Sequence, residues 1–157
     1  MKGVIILKKL FYTSFVFLFA FLLVGCGSSS SKDDVTKHNK NNNYVECTGE
    51  EDGSTGKLVV YLDKDDKATS FDYYLTVNAP DVTEDQVKST EELVCNGQGE
   101  FKKEWIEECS YKLDGEKVKA HVYVNSSEWL GTFGTKDKLL EGNFADTDLD
   151  GLKCVSK

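Results

Sequence analysis

The chain has 157 residues, 19 of them basic and 27 acidic, for a formal net charge of −8. Lys2, Lys8 and Lys9 fall in the first nine residues with no acid, so the chain beyond residue 25 carries 16 basic against 27 acidic residues, or −11. Such an excess argues against nucleic acid and against a surface lying flat on anionic lipid, both of which want basic patches, and it fits cationic partners.

Leu10 to Val24 is uncharged and rich in Phe and Leu. A basic start followed by an apolar run of this length is the secretory signal layout. The run is short for a bilayer span, which wants about 20 apolar residues, although Val4–Leu7 would extend it to an uncleaved, tilted anchor. Leu23-Val24-Gly25-Cys26 closes the run and precedes Gly27-Ser28-Ser29-Ser30-Ser31. This stretch resembles the lipobox of bacterial lipoproteins. The resemblance implies that residues 1–25 are a signal peptide and that the Cys26 sulfur receives a diacylglyceryl group. Cleavage before Cys26 would leave the protein lipid-anchored on the extracytoplasmic face of the bacterial cell membrane. Residues 26–43 follow as a polar stretch with Val35 as the only aliphatic side chain. They are expected to form a flexible tether, with His38 inside it.

The segment 44–157 is then one extracytoplasmic domain large enough for a modest core. Its cysteines are Cys47, Cys95, Cys109 and Cys154. An even number in an exported domain predicts two disulfides. No pair has the Cys-x-x-Cys spacing of a metal site, and no metal or other cofactor is expected. Four cysteines allow three connectivities. Cys47 with Cys154 and Cys95 with Cys109 is slightly preferred, and the alternatives tie Cys47 to the helix end or to Cys109.

Taken in order, Tyr44 to Thr48 is a strand candidate and Gly49 to Gly53 a turn by composition. Lys57 to Leu62 alternates, with Leu58, Val60 and Leu62 on one face and Val59 and Tyr61 on the other. Asp63 to Lys67 is a polar loop of hairpin length. Ala68 to Val77 sets Phe71, Tyr73, Leu75 and Val77 against Asp72, Tyr74 and Thr76. Pro80 ends that strand. Thr83-x-x-Gln86 predicts a capping box, opening a helix with Val87, Thr90 and Val94 on one face and ending at Asn96-Gly97. Lys102 to Glu107 suggests a helical turn carrying Trp105. Cys109 to Leu113 and Lys117 to Val124 form a hairpin about Asp114-Gly115, with Val118, Ala120, Val122 and Val124 inward and Lys119, His121 and Tyr123 outward. Glu128 to Phe133 is ambiguous. Thr135 to Leu140 suggests a short helix burying Leu139 and Leu140, and Leu152 to Val155 ends the chain near the core. The fold class expected is α+β: an antiparallel sheet of four to five strands built from two hairpins, with one main and one short helix packed on one face.

Cys47-Thr48-Gly49, the Tyr61-Leu62-Asp63-Lys64-Asp65 turn, Cys95 near a helix end and the final Leu152-Lys153-Cys154 resemble small bacterial lipoproteins of unknown function with a four-cysteine α+β domain. More distantly the chain is similar to YehR-like lipoproteins. That resemblance implies no activity and carries over no functional residue.

Among candidate sites, Asp146-x-Asp148-x-Asp150-Gly151 reproduces the first half of a calcium loop. Its closing acid falls on Lys157, so a solvated acidic loop is the better account. His121 stands alone on an outward face, without a nucleophile at a useful spacing. Glu91-Glu92 and Glu107-Glu108 are neighbours in sequence and read as solvated surface. Tyr61, Tyr74 and Tyr123 lie opposite the apolar faces, and with Trp105 and Trp129 they make the candidate recognition surface for a glycan, a peptide or an envelope protein. The expectation is a non-catalytic binding or cell-envelope accessory lipoprotein. The alternatives are a substrate-capturing lipoprotein of a transporter and, behind it, a cell-envelope enzyme.

Overall fold

The computed structural model describes residues 37–38, 43–51, 53–98, 101–126, 135–141, 143–144, 147–148 and 153–157. The signal segment, Cys26, Trp129, Asp146, Asp150 and Gly151 lie outside them. Strands β1 (Tyr44–Glu51), β2 (Ser54–Leu62) and β3 (Ala68–Asn78) form a meander, followed by helix α1 (Glu84–Cys95). A 3₁₀ turn at Lys103–Trp105 leads into the hairpin of β4 (Ile106–Asp114) and β5 (Lys117–Val124). Helix α2 (Lys136–Leu140), the two-residue strands β6 (Asn143–Phe144) and β7 (Thr147–Asp148), and β8 (Lys153–Ser156) complete the order.

The main sheet has six strands in the order β4-β5-β3-β2-β1-β8, with every neighbouring pair antiparallel. This corrects the expected four to five strands from two hairpins. The first unit is a three-stranded meander, because β1 runs on to Glu51, which pairs with Ser54 of β2. Gly53 supplies the positive φ of 75° that so tight a turn needs. The sixth strand is β8, which docks on β1 with Cys154 directly opposite Cys47.

Alternation at period two gives the sheet two different faces. One carries Val45, Cys47, Leu58, Val60, Leu62, Phe71, Val122 and Val124 into the core, where Phe101 and Leu139 cover them. Phe101 meets Phe71 at a ring separation of 5.5 Å. Of the pair expected to bury α2, only Leu139 does so; Leu140 is 38% exposed. Adjacent residues on a helix point about 100° apart, so Leu139 faces the core and Leu140 turns away from it.

Helix α1 starts with the expected capping box of Thr83 and Gln86. It ends in a Schellman arrangement: Gln98 N–H donates to the Leu93 carbonyl and Gly97 N–H to that of Val94, both at 3.0 Å. The helix packs against β4, the edge strand, and the Glu91 carboxylate accepts from the Tyr111 backbone N–H at 3.3 Å. An otherwise open strand edge is thereby partly closed.

Two disulfides tie these elements, Cys47–Cys154 between β1 and β8 and Cys95–Cys109 between α1 and β4. This is the slightly preferred pairing. Among the described residues no helix is long and apolar enough to cross a membrane.

Candidate functional site

The second face of the sheet is where polar chemistry collects. The register sets Glu46, Val59, Asp72, Tyr123 and Glu108 in one row across β1, β2, β3, β5 and β4. Lys57, Tyr74, His121 and Ser110 form the next row. Tyr61 stands two residues beyond Val59 on β2, and Tyr44 faces it from β1. Since alternate residues share a face, these side chains meet without any loop having to position them.

Asp72 is at the centre, with its side chain fully shielded from solvent. Its Oδ1 accepts from His121 Nε2 at 2.6 Å, while Oδ2 accepts from the Tyr61 hydroxyl at 2.6 Å and from His38 Nδ1 at 3.0 Å. Burial pushes the Asp72 carboxyl up, but the hydrogen bonds from His121, Tyr61 and His38 outweigh it and hold the group below the usual carboxylate range. The Tyr61 phenol moves the opposite way. Its burial, and then its hydrogen bond to the Asp72 carboxylate, raise it far above the ordinary tyrosine range, so it remains a donor.

Rings enclose this centre. Tyr74 stacks on His121 at 4.4 Å with 7° between planes, and Lys57 Nζ sits 4.5 Å from the Tyr74 centroid. On the other side His38 stacks on Tyr123 at 3.7 Å with 11° between planes, and meets Tyr61 edge-on at 6.4 Å. Burial raises the Tyr123 phenol above its ordinary range as well.

His38 comes from the stretch expected to be a flexible tether, yet its side chain is only 13% exposed. Its second nitrogen, Nε2, lies 3.4 Å from Glu108 Oε1, and Lys37 hydrogen-bonds the same carboxylate. The hydrogen bond from Lys37 lowers the Glu108 carboxyl below its ordinary range. A neutral imidazole can donate to only one of the two carboxylates that flank it, whereas an imidazolium donates to both.

The structure thus brings Tyr61, Tyr74 and Tyr123 onto one surface with Asp72, His121 and His38. Trp105 belongs to the other side, packed against the main core with Lys102 Nζ 4.5 Å from its ring. Trp129 lies outside the described residues. Asp148, from the calcium-like run, is in β7 and pairs with Asn143.

Chemically, the face sets two carboxylates beside aromatic rings. Ser110 faces His121 across the β4–β5 ladder without a hydrogen bond to it among the described contacts. Among the described residues no group of three or more His, Cys, Asp or Glu is placed to hold a metal ion. Comparison of the chain with protein-family models, with curated proteins and with solved structures finds no match.

Proposed function

We propose that this protein is a lipid-anchored, extracytoplasmic, non-catalytic recognition lipoprotein, and that its binding surface is the Asp72-centred face of the sheet. The anchor half of the reading rests on residues 1–31: basic start, apolar run, Leu23-Val24-Gly25-Cys26 and serine tract in that order. The recognition half rests on one observation. A carboxylate has been buried on the face away from the main core, ringed by Tyr61, Tyr74, Tyr123 and two histidines.

Core stability does not call for such a group. Removing a carboxylate from water costs several kcal/mol even after relaxation, and a well-packed apolar replacement is often neutral or stabilising. A sheet face built from alternating residues could bury a valine at position 72 at no such cost. Perturbed carboxylates surrounded by aromatics are a feature of sites. The absence of a hydrogen-bonded nucleophile favours holding over cutting.

A photo-crosslinking amino acid at Thr76, on the same face beyond Tyr74, tests this in intact cell envelopes. Substitution of Leu93, which is 43% exposed on α1, serves as control. The reading expects a discrete adduct from position 76 and none from position 93. Equal labelling from both, or none from either, would contradict it.

A further inference from the structure

Resting on that reading, we infer that the face binds the planar cationic side chain of a basic peptide segment, and that Lys37-His38 is the chain's own occupant of that site. The geometry around His38 is that of a receptor and its ligand. One planar ring is stacked on Tyr123 at 3.7 Å and bordered by the Tyr61 edge. It donates from Nδ1 to the buried Asp72 and turns Nε2 towards Glu108. The preceding lysine bonds the same Glu108. The pair reaches the sheet from outside it, with only residues 39–42 between His38 and Asn43, where the described chain resumes before β1.

Two features of this contact argue for a replaceable occupant. The four surrounding groups, Asp72, Glu108, Tyr61 and Tyr123, are held by β2, β3, β4 and β5, whereas His38 is not part of any strand. The site also demands two donors in one plane, because its two carboxylates flank opposite nitrogens of one ring. A guanidinium meets that demand fully. It is planar, always charged, stacks on aromatic rings and offers donors to two carboxylates at once. All 19 basic residues of this chain are lysines, so a guanidinium at the site would come from another molecule. The charge of −11 beyond residue 25 favours the approach of such a basic segment.

An internal occupant lowers the apparent affinity for an external one by the fraction of time the site is open. Removing an internal occupant that fills a site about nine-tenths of the time tightens external binding about tenfold. The probe is the peptide acetyl-Ser-Lys-Arg-Ser-amide, titrated calorimetrically into the full-length protein in detergent, with a control peptide in which citrulline replaces the arginine, removing the guanidinium charge and keeping the lysine. The arginine peptide should bind about tenfold more tightly to His38→Ala than to the unsubstituted protein. Citrulline should abolish the gain, and Glu108→Gln in the His38→Ala background should weaken binding. His38→Gln, which keeps a polar planar group but no charge, guards against a folding defect in the alanine variant. Equal affinities of the arginine peptide for the unsubstituted, His38→Ala and His38→Gln proteins would overturn the inference, as would equal binding of the citrulline peptide. An envelope adduct at position 76 that forms undiminished when the arginine peptide is present during irradiation would reject the cationic ligand while leaving the recognition surface standing. Loss of that adduct when the arginine peptide, and not the citrulline peptide, is present during irradiation supports both.

Discussion

Tyr61→Phe removes one oxygen and little else. Tyr61 is 3% exposed, and its ring packs among Val59, Tyr123 and Tyr44, so phenylalanine fills the same space. What goes is the 2.6 Å hydrogen bond to Asp72 Oδ2, leaving that oxygen with His38 Nδ1. A hydrogen bond to a charged, buried acceptor contributes about 1.5–3 kcal/mol. For a domain of this size, each kcal/mol corresponds to about 4 °C in Tm, so the loss should be about 6–12 °C. The pH dependence gives a second, independent reading. Asp72 is held below its ordinary pKa in the folded state, so its contribution is present above the unfolded carboxylate pKa of about 4 and is lost as pH falls through the lower folded value. Removing one of the stabilising donors moves the folded value upward. The gap between the two proteins should therefore be full near neutrality and close as the pH falls through the two folded-state values. Thermal melts of the oxidised proteins across that range read the Tm, and denaturant melts read the stability itself. A Tyr61→Phe midpoint indistinguishable from the parent at neutral pH, or a gap that persists undiminished once Asp72 is protonated, would refute the idea that a buried carboxylate organises this face.

Three further outcomes follow from the same structure. Removing Cys95–Cys109 should cost about 3 kcal/mol and removing Cys47–Cys154 about 4–5 kcal/mol in the loop-entropy treatment, measured by melts of the paired serine variants. Against a typical domain total of about 5–15 kcal/mol, reduction of both bonds should abolish the cooperative transition at moderate temperature. Gly97→Ala should cost about 2–4 kcal/mol, because φ there is 73° and an added Cβ would lie 2.4 Å from the Lys103 backbone nitrogen. Gly115→Ala, with a similar φ but nothing within 4 Å, should cost less in the same melts. Cys26→Ala should abolish incorporation of labelled fatty acid and partitioning into a detergent phase in a Gram-positive host, with the domain still folded.

Where strands alternate cleanly, the sequence already shows which side chains share a face. β2, β3 and β5 sort their residues as the period-two pattern requires, and Thr83-x-x-Gln86 marks the start of α1. Local turn chemistry was equally legible at Asp114-Gly115, where Gly115 takes a φ of 63°. β8 was not, because four residues with one large apolar side chain carry no periodicity of their own. Its place is set by the Cys47–Cys154 bond and by pairing with a strand at the other end of the domain. The site was hidden for a related reason. Asp72 and His121 are 49 residues apart, and Asp72 and His38 are 34 apart. Only the joint register of β2, β3 and β5 makes them neighbours. The outward placement of Asp72 and His121 was visible, but outward means solvent-facing only until something covers the face. In this protein the cover is Tyr61, Tyr74, Tyr123 and His38. The signal that could have raised the suspicion was the alternate spacing Asp72-x-Tyr74 against His121-x-Tyr123, two strands carrying an acid, a base and two rings on one side.

The claim at the centre of this account is that His38 sits on Tyr123 and bonds Asp72. With only His38 and His121 in the chain, the imidazole resonances can be assigned unambiguously. Proton NMR of the full-length protein in detergent should show cross-relaxation between the His38 ring and the Tyr123 ring, consistent with centroids 3.7 Å apart, and Tyr123→Leu should remove the accompanying ring-current shift. A His38 ring with random-coil shifts and no contact to Tyr123, in a protein whose His121 still contacts Tyr74, would contradict it.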